Sequence, residues 1–133
     1  VRRLVALAAV GLLTAGCTPD VERLVAWVQE QEATASEEGL PCPIYADDLA
    51  WRGLPEAMLF VIERESRCQP GAIGPTDDWG LTQIHAPVWL ADLCSAGVAC
   101  SRWDLLDPGT NLDAAAFVYA AQGPAAWSAT WSG

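Results

Sequence analysis

The sequence predicts a small α+β domain, mainly α-helical, with a short loop or β-hairpin insert. Three observations carry that prediction. Apolar residues recur at helical spacing in several segments bounded by Pro or Gly. Between two of them, residues 69–84 are rich in Gly, Pro and Asp and read as loop with short strand pieces. The chain has 133 residues, 52% of them hydrophobic, enough for one domain with attachments and too apolar for a disordered chain. Charge excludes a further class: the seven basic residues are all Arg, set against seventeen Asp and Glu, for a formal net charge of −10. Phosphate contacts need Lys and Arg patches, so nucleic acid is not an expected partner. No run approaches the roughly 18 apolar residues of a membrane-spanning helix.

In chain order, Arg2 and Arg3 precede the apolar run from Leu4 to Leu13, and Thr14-Ala15-Gly16-Cys17 follows. A basic start, an apolar core and small residues before a cleavage point read as a secretory signal over residues 1–16. The segment resembles the lipobox of bacterial lipoproteins, whose Cys takes a thioether lipid; Thr14 stands where Leu or Val is commoner. Cys17 is therefore the expected lipidation site. Its acyl chains would hold the exported protein at a membrane surface without a basic patch. A plain signal peptide with an incidental Cys is the alternative. Removing Arg2 and Arg3 takes the net charge from −10 to −12. Residues 17–41 then form the lipidated Cys and a stalk. One helical stretch carries Val21, Leu24, Val25 and Val28, and the polar, small residues 32–39 follow it.

The domain proper spans residues 42–131. Residues 44–52 suggest a short helix ended by Gly53, and Pro55 suits the first turn of a helix running to Arg67. Residues 87–94 read as another short helix. Asp107 followed by Pro108 is an N-cap with Pro at the first helical position; that helix runs to Gln122, where Gly123-Pro124 stops it. Setting Cys17 aside leaves Cys42, Cys68, Cys94 and Cys100, an even number that in a small exported domain reads as two disulfides with three possible connectivities. A single His and no C-x-x-C argue against a metal site. The short Gly53-Leu54-Pro55 turn makes the first two helices antiparallel, which brings Cys42 near Cys68. Five small residues then separate Cys94 from Cys100. The expected pairs are Cys42–Cys68 and Cys94–Cys100.

One carboxylate breaks the apolar pattern. Met58, Val61 and Ile62 form an inner stripe, and Glu65 falls on it seven residues after Met58. Glu63 and Arg67 lie on another face, four apart, where they can pair in solvent. Burial raises the pKa of a carboxyl, the property a general acid needs at neutral pH. The alternative is that Glu65 pairs with an Arg or caps a loop.

The segment Ile62-Glu63-Arg64-Glu65-Ser66-Arg67 resembles the Glu-Ser motif of the lysozyme-like, soluble lytic transglycosylase family. Gly80-Leu81-Thr82-Gln83-Ile84 is similar to that family's Gly-Leu-Met-Gln motif, with Thr82 for Met. Asn111-Leu112 followed by Tyr119 resembles its third motif. That motif usually places Tyr seven residues after Asn, where this chain has Val118. Residues 124–131, with Trp127 and Ser128, resemble the tail that often closes such domains. The resemblance covers about residues 42–131. It implies a lysozyme-like fold and peptidoglycan as substrate, cut between N-acetylmuramic acid and N-acetylglucosamine. It also implies one essential carboxylic acid, carried over onto Glu65. Ser66 would orient that acid or hold the floor. Gly80, Leu81, Thr82, Gln83 and Ile84 would line or underlie the groove, with Gly80 admitting a sugar to the backbone. Tyr119, one residue late and so rotated by about 100°, is a candidate for the same groove. Trp79 and Trp127 are the aromatics expected against glycan; Trp89 and Trp103 read as core.

In a lytic transglycosylase Glu65 would protonate the leaving oxygen and then act as base on the muramic 6-hydroxyl, giving a 1,6-anhydro end. The substrate's N-acetyl group would stabilise the cation, and no cofactor is implied. A hydrolytic muramidase needs a positioned water and usually a second carboxylate. Asp77 and Asp78 are the candidates, although Gly74-Pro75-Thr76-Asp77-Asp78 is also good turn chemistry. A wall-binding lipoprotein without activity is the remaining alternative. His85 is expected at the groove rim or a helix cap, and Asn111 as a hydrogen-bonding support behind the site. A monomer is expected, with peptidoglycan strands and, through Cys17, a membrane as its partners.

Overall fold

Pro43 opens the domain with a single 3-10 turn, Pro43–Tyr45, which runs directly into helix α1, Ala46–Trp51. In the computed structural model the described residues are 39–131, preceded by the isolated helical positions Glu22 and Val25. The expected signal segment, Cys17 and the rest of the expected stalk lie outside them. The chain divides into two units, Val1–Ala35 and Ser36–Gly133, and everything below concerns the second.

Gly53, at φ 68°, reverses the chain after α1. Helix α2, Met58–Ser66, begins three residues later than Pro55 suggests. The amides of Met58, Leu59 and Phe60 donate to carbonyls three residues back, at Pro55, Glu56 and Ala57, so this entry is a run of tight turns. The helix ends with Arg67 in the left-handed region at φ 53°. That twist takes Arg67 off the helical face, and the expected Glu63–Arg67 pair is not among the ion pairs of the described residues. Cys68 is bridged to Cys42 (Cα–Cα 5.5 Å), and Cys94 to Cys100 (4.3 Å). Two disulfides fit an exported protein.

The Gly- and Asp-rich stretch folds into a two-stranded antiparallel hairpin, β1 Asp78–Trp79 and β2 Ile84–His85, with Asp78 opposite His85 and Trp79 opposite Ile84. Helix α3, Ala86–Ser95, follows at once with Pro87 in its first turn. A 3-10 helix over Arg102–Leu106 was not expected from periodicity. Its signal is local: Ser101 and Asp104 form a reciprocal capping box. Helix α4, Pro108–Gln122, has the bounds that its caps predict. The Asp107 carboxylate accepts from the Thr110 amide (2.9 Å) and hydroxyl (3.0 Å), and these bonds hold its pKa below the usual carboxylate range. A final 3-10 turn, Gly123–Trp127, leads into the tail.

Helix α4 is the axis of the core. It contacts α1, α3, β2 and both flanking 3-10 helices. Ala114 and Ala115 are fully buried on it, small enough for neighbours to approach closely. Around it close Met58, Leu59, Val61 and Ile62 of α2, Leu81 and Ile84 of the hairpin, and Leu93 of α3. The described residues 39–131 thus form a mainly helical α+β domain with one small hairpin. No described helix is long and apolar enough to cross a membrane.

Candidate active site

The site is built outward from Asn111. This residue is completely buried in the first turns of α4, and all its polar capacity is used. Its Oδ1 accepts from the Thr82 amide (2.9 Å) and hydroxyl (2.8 Å); its Nδ2 donates to the carbonyls of Trp79 and Leu105 (2.8 Å each). One side chain therefore clamps the end of β1 and the loop residue Thr82 to the core and to the 3-10 helix at Leu105, as a support behind the site.

That clamp changes the expected places of Gly80 and Thr82. Gly80 sits at φ +78°, and a Cβ there would lie 2.1 Å from the Leu105 carbonyl oxygen and 2.2 Å from Asn111 Nδ2. The close approach that requires glycine comes from the protein's own interior, and Gly80 does not admit a sugar. Thr82 is fully buried and spends its hydroxyl on Asn111, so it contributes no groove surface. Leu81 is core. Of the two expectations for Ser66, the structure departs from the first: its hydroxyl donates to the Ile62 carbonyl (2.9 Å), one turn back on its own helix, and not to Glu65, while its burial leaves a place in the floor open to it.

Glu65 lies on the wall of an open cavity of about 200 Å³. Asp78, Gln83, Ile84 and His85 of the hairpin form a second wall. Trp89 of α3, Val118 of α4, and Ala126 and Trp127 of the tail complete it. Glu65 is half-buried, and its Oε1 accepts a 2.6 Å bond from the Thr130 hydroxyl. No spacing in the tail points to Thr130 in advance. Gln83, at φ 50°, folds its amide inward, donating to the carbonyls of Gly80 (2.9 Å) and Ala72 (3.2 Å). Its side-chain oxygen packs over Gly74, where a Cβ would come within 2.6 Å.

The two neighbouring aspartates part company. Asp77, at φ 67°, turns outward into a bidentate pair with Arg102 (2.6–2.9 Å) and also accepts from the Trp79 indole (2.6 Å). The Arg102 guanidinium first, then the indole, bring its pKa down to about 2; the same bond raises that of Arg102. Asp78 turns to the cavity. Its Oδ1 is 2.9 Å from His85 Nδ1, and its Oδ2 accepts from the Thr76 hydroxyl. His85 precedes α3 in the cap position and lines the cavity without a side-chain cap bond.

The aromatics also divide. Trp79 is buried, its indole committed to Asp77 and its ring edge-on to Trp103 at 5.3 Å, and it is not among the cavity residues. Trp103, expected in the core, is exposed. Trp127 is buried but lines the cavity, and its Nε1 donates to the Thr82 carbonyl (2.8 Å). Tyr119 lies one helical step from the wall formed by Val118, with its ring 6.0 Å from that of Trp131. Among the described residues no group of three His, Cys, Asp or Glu converges as a metal site.

A family model described as the transglycosylase SLT domain matches residues 43–120, more than half of the chain. The match spans Glu65, the hairpin and Asn111, and ends before Thr130. No curated protein and no solved structure matches the chain significantly. The chain belongs to the family of transglycosylase SLT domains.

Proposed function

We propose that this protein is an exported peptidoglycan lytic transglycosylase that cleaves the β-1,4 bond between N-acetylmuramic acid and N-acetylglucosamine, with Glu65 as its acid and base. The observation that carries this reading is the half-buried Glu65 carboxyl on the wall of an open cavity, bonded to Thr130, in a chain of this family. Protonated Glu65 gives its proton to the glycosidic oxygen as the C1–O bond breaks, and the substrate's N-acetyl oxygen shares the positive charge at C1. The Glu65 carboxylate then takes the proton of the muramic 6-hydroxyl as that oxygen bonds to C1. The product is a 1,6-anhydro end, and Glu65 is protonated again. Neither a metal nor a cofactor enters these steps.

Asp78 favours a second reading. It shares the cavity with Glu65, whereas Asp77 is committed to Arg102. A water oriented by Asp78 would turn the same cut into hydrolysis, making the protein a muramidase. We further propose a monomer tethered to the membrane through a lipid on Cys17, with the domain reaching glycan strands from there.

The decisive experiment digests peptidoglycan with the mature protein in ¹⁸O-labelled water and reads the products by mass spectrometry. Anhydro ends without label are expected. Labelled reducing ends would support hydrolysis and move attention to Asp78→Asn; no cleavage at all would favour a wall-binding lipoprotein. Glu65→Gln keeps the shape and removes the transferable proton, so it should lower cleavage by at least about 100-fold with the fold intact. Near-normal turnover by that variant would reject Glu65 as the acid.

A further inference from the structure

Beyond the stretch that defines the family, the tail brings a hydroxyl to the acid. Thr130 Oγ1 lies 2.6 Å from Glu65 Oε1 and 3.4 Å from the Trp127 carbonyl oxygen. A hydroxyl has one proton to donate, and O–H···O bonds span roughly 2.5–3.0 Å, so that proton points at Glu65.

Independent anchors fix where the hydroxyl stands. The Trp127 indole is bonded to the buried Thr82 carbonyl, which ties the tail to the Asn111 clamp. The Thr130 amide donates to the Trp127 carbonyl (2.9 Å), closing a turn. Arg64 donates from its guanidinium to the Thr130 carbonyl. Consecutive residues of α2 thus grip both polar ends of one residue: Arg64 its backbone, Glu65 its hydroxyl.

We propose that Thr130 is a positioning residue for the Glu65 carboxyl, holding Oε1 so that Oε2 is the oxygen that exchanges protons with substrate. The oxygen that accepts the hydroxyl bond keeps carbonyl character when the acid is protonated, so the transferable proton resides on the other. In the first step that proton leaves Oε2 for the glycosidic oxygen. In the second, Oε2 receives the proton of the 6-hydroxyl, while the Thr130 bond to Oε1 persists and fixes the plane of the carboxyl. This inference rests on Glu65 being the acid. It also assigns a task to the tail, which lies beyond the residues that the family model matches.

Steady-state kinetics on a soluble, uncross-linked glycan strand test it with the mature protein. Thr130→Val should lose up to about 100-fold in kcat, the penalty of a misplaced catalytic group, with KM within about twofold. Thr130→Ser, which restores the donor, should recover kcat to within a few-fold. Thr130→Ala removes the hydroxyl without adding bulk and should repeat the kcat loss, so it decides the matter if the Val variant does not melt cooperatively. Full kcat from Val or Ala, alongside an inactive Glu65→Gln, overturns the role of Thr130 alone. Equal losses from Val and Ser also overturn it, since the hydroxyl would then not be what matters. An active Glu65→Gln overturns the underlying assignment instead.

Discussion

The cavity has two walls of opposite kinds. The hairpin wall comes from the segment with the clearest sequence signature, Gly80-Leu81-Thr82-Gln83-Ile84, yet Gly80, Leu81 and Thr82 are buried and only Gln83 and Ile84 reach the cavity. The tail wall comes from a stretch of Gly, Pro, Ala, Ser, Thr and Trp in which no spacing singles out Thr130, and that residue supplies the hydroxyl that touches Glu65. The hairpin is held by three bonds to one buried amide, which makes a fourth to Leu105; the tail is held by one indole bond, one guanidinium bond and the Thr130 hydroxyl's bond to Glu65. A motif can therefore mark the scaffold that carries a site. The polar groups that line the cavity or touch Glu65 stand on its flanks, at Asp78 and His85 on one side and at Thr130 on the other.

The largest effect should come from breaking the hairpin's hub. Asn111→Ala strands the Thr82 amide and the Trp79 and Leu105 carbonyls in the interior. At about 1–3 kcal/mol for each of these three unsatisfied groups, the loss is on the order of 3–9 kcal/mol. Trp127→Phe, the matching change on the tail, leaves one buried carbonyl unpaired and should cost about 1–3 kcal/mol. Urea unfolding of the two variants measures the contrast. Equal losses would mean that the two walls are held equally and that the comparison fails.

Between the walls stands α2, and its fastening gives a smaller effect. The Cys42–Cys68 bridge closes 26 residues and ties the exit of the Glu65 helix to the start of the domain. Cys94–Cys100 closes only 6 and lies at the exposed end of α3. The chain-entropy model assigns about 3.5 kcal/mol to the first loop and about 2 kcal/mol to the second. Double Cys→Ser replacement of each pair, followed by thermal melting, should reproduce that order. The reverse order would show that reduced-state structure or native strain dominates loop entropy here.

How much of this was legible follows from how far each interaction reaches. The bounds of α4 were readable because Asp107, Pro108 and Gly123 act on their own backbone. The start of α2 was misjudged at Pro55 because the i−3 bonds of residues 58–60 and a true α-turn share one apolar pattern. The capping box at Ser101 and Asp104 belongs to a 3-10 turn too short to show periodicity. The Cys42–Cys68 pair followed from a tight turn between two helices, and Cys94–Cys100 from the short run of small residues between its two cysteines. The true reason for Gly80 could not be read, because it depends on Asn111, 31 positions away. Trp79 and Trp103 exchanged expected places, since aromatic residues in irregular segments carry no period that assigns them a side. Glu65 stood out only because it interrupts an apolar stripe. Thr130 interrupts nothing.

The smallest effect separates Asp77 from Asp78, neighbours that a turn sends to opposite sides. Asp77 carries a pKa of about 2 in the folded protein against an ordinary 3.8, first through Arg102 and then through the Trp79 indole. A depressed carboxylate contributes stability that is fully present above its unfolded value. That contribution fades as pH falls from about 3.8 through about 2. Asp77→Asn suits the test because Asn also tolerates the left-handed backbone found here at φ 67°, so the substitution removes the charge and spares the turn. The variant should melt below the wild type at neutral pH, modestly, because the pair with Arg102 is solvent-exposed and screened by salt. The gap should close as both proteins are acidified through that window. Arg102→Gln should follow the same course, since it removes the other half of the pair. Melting curves collected stepwise from neutral pH to pH 2 decide it. A gap that persists unchanged into the acid would mean that Asp77 works through the shape of its turn. The two aspartates would then differ in direction but not in electrostatic role.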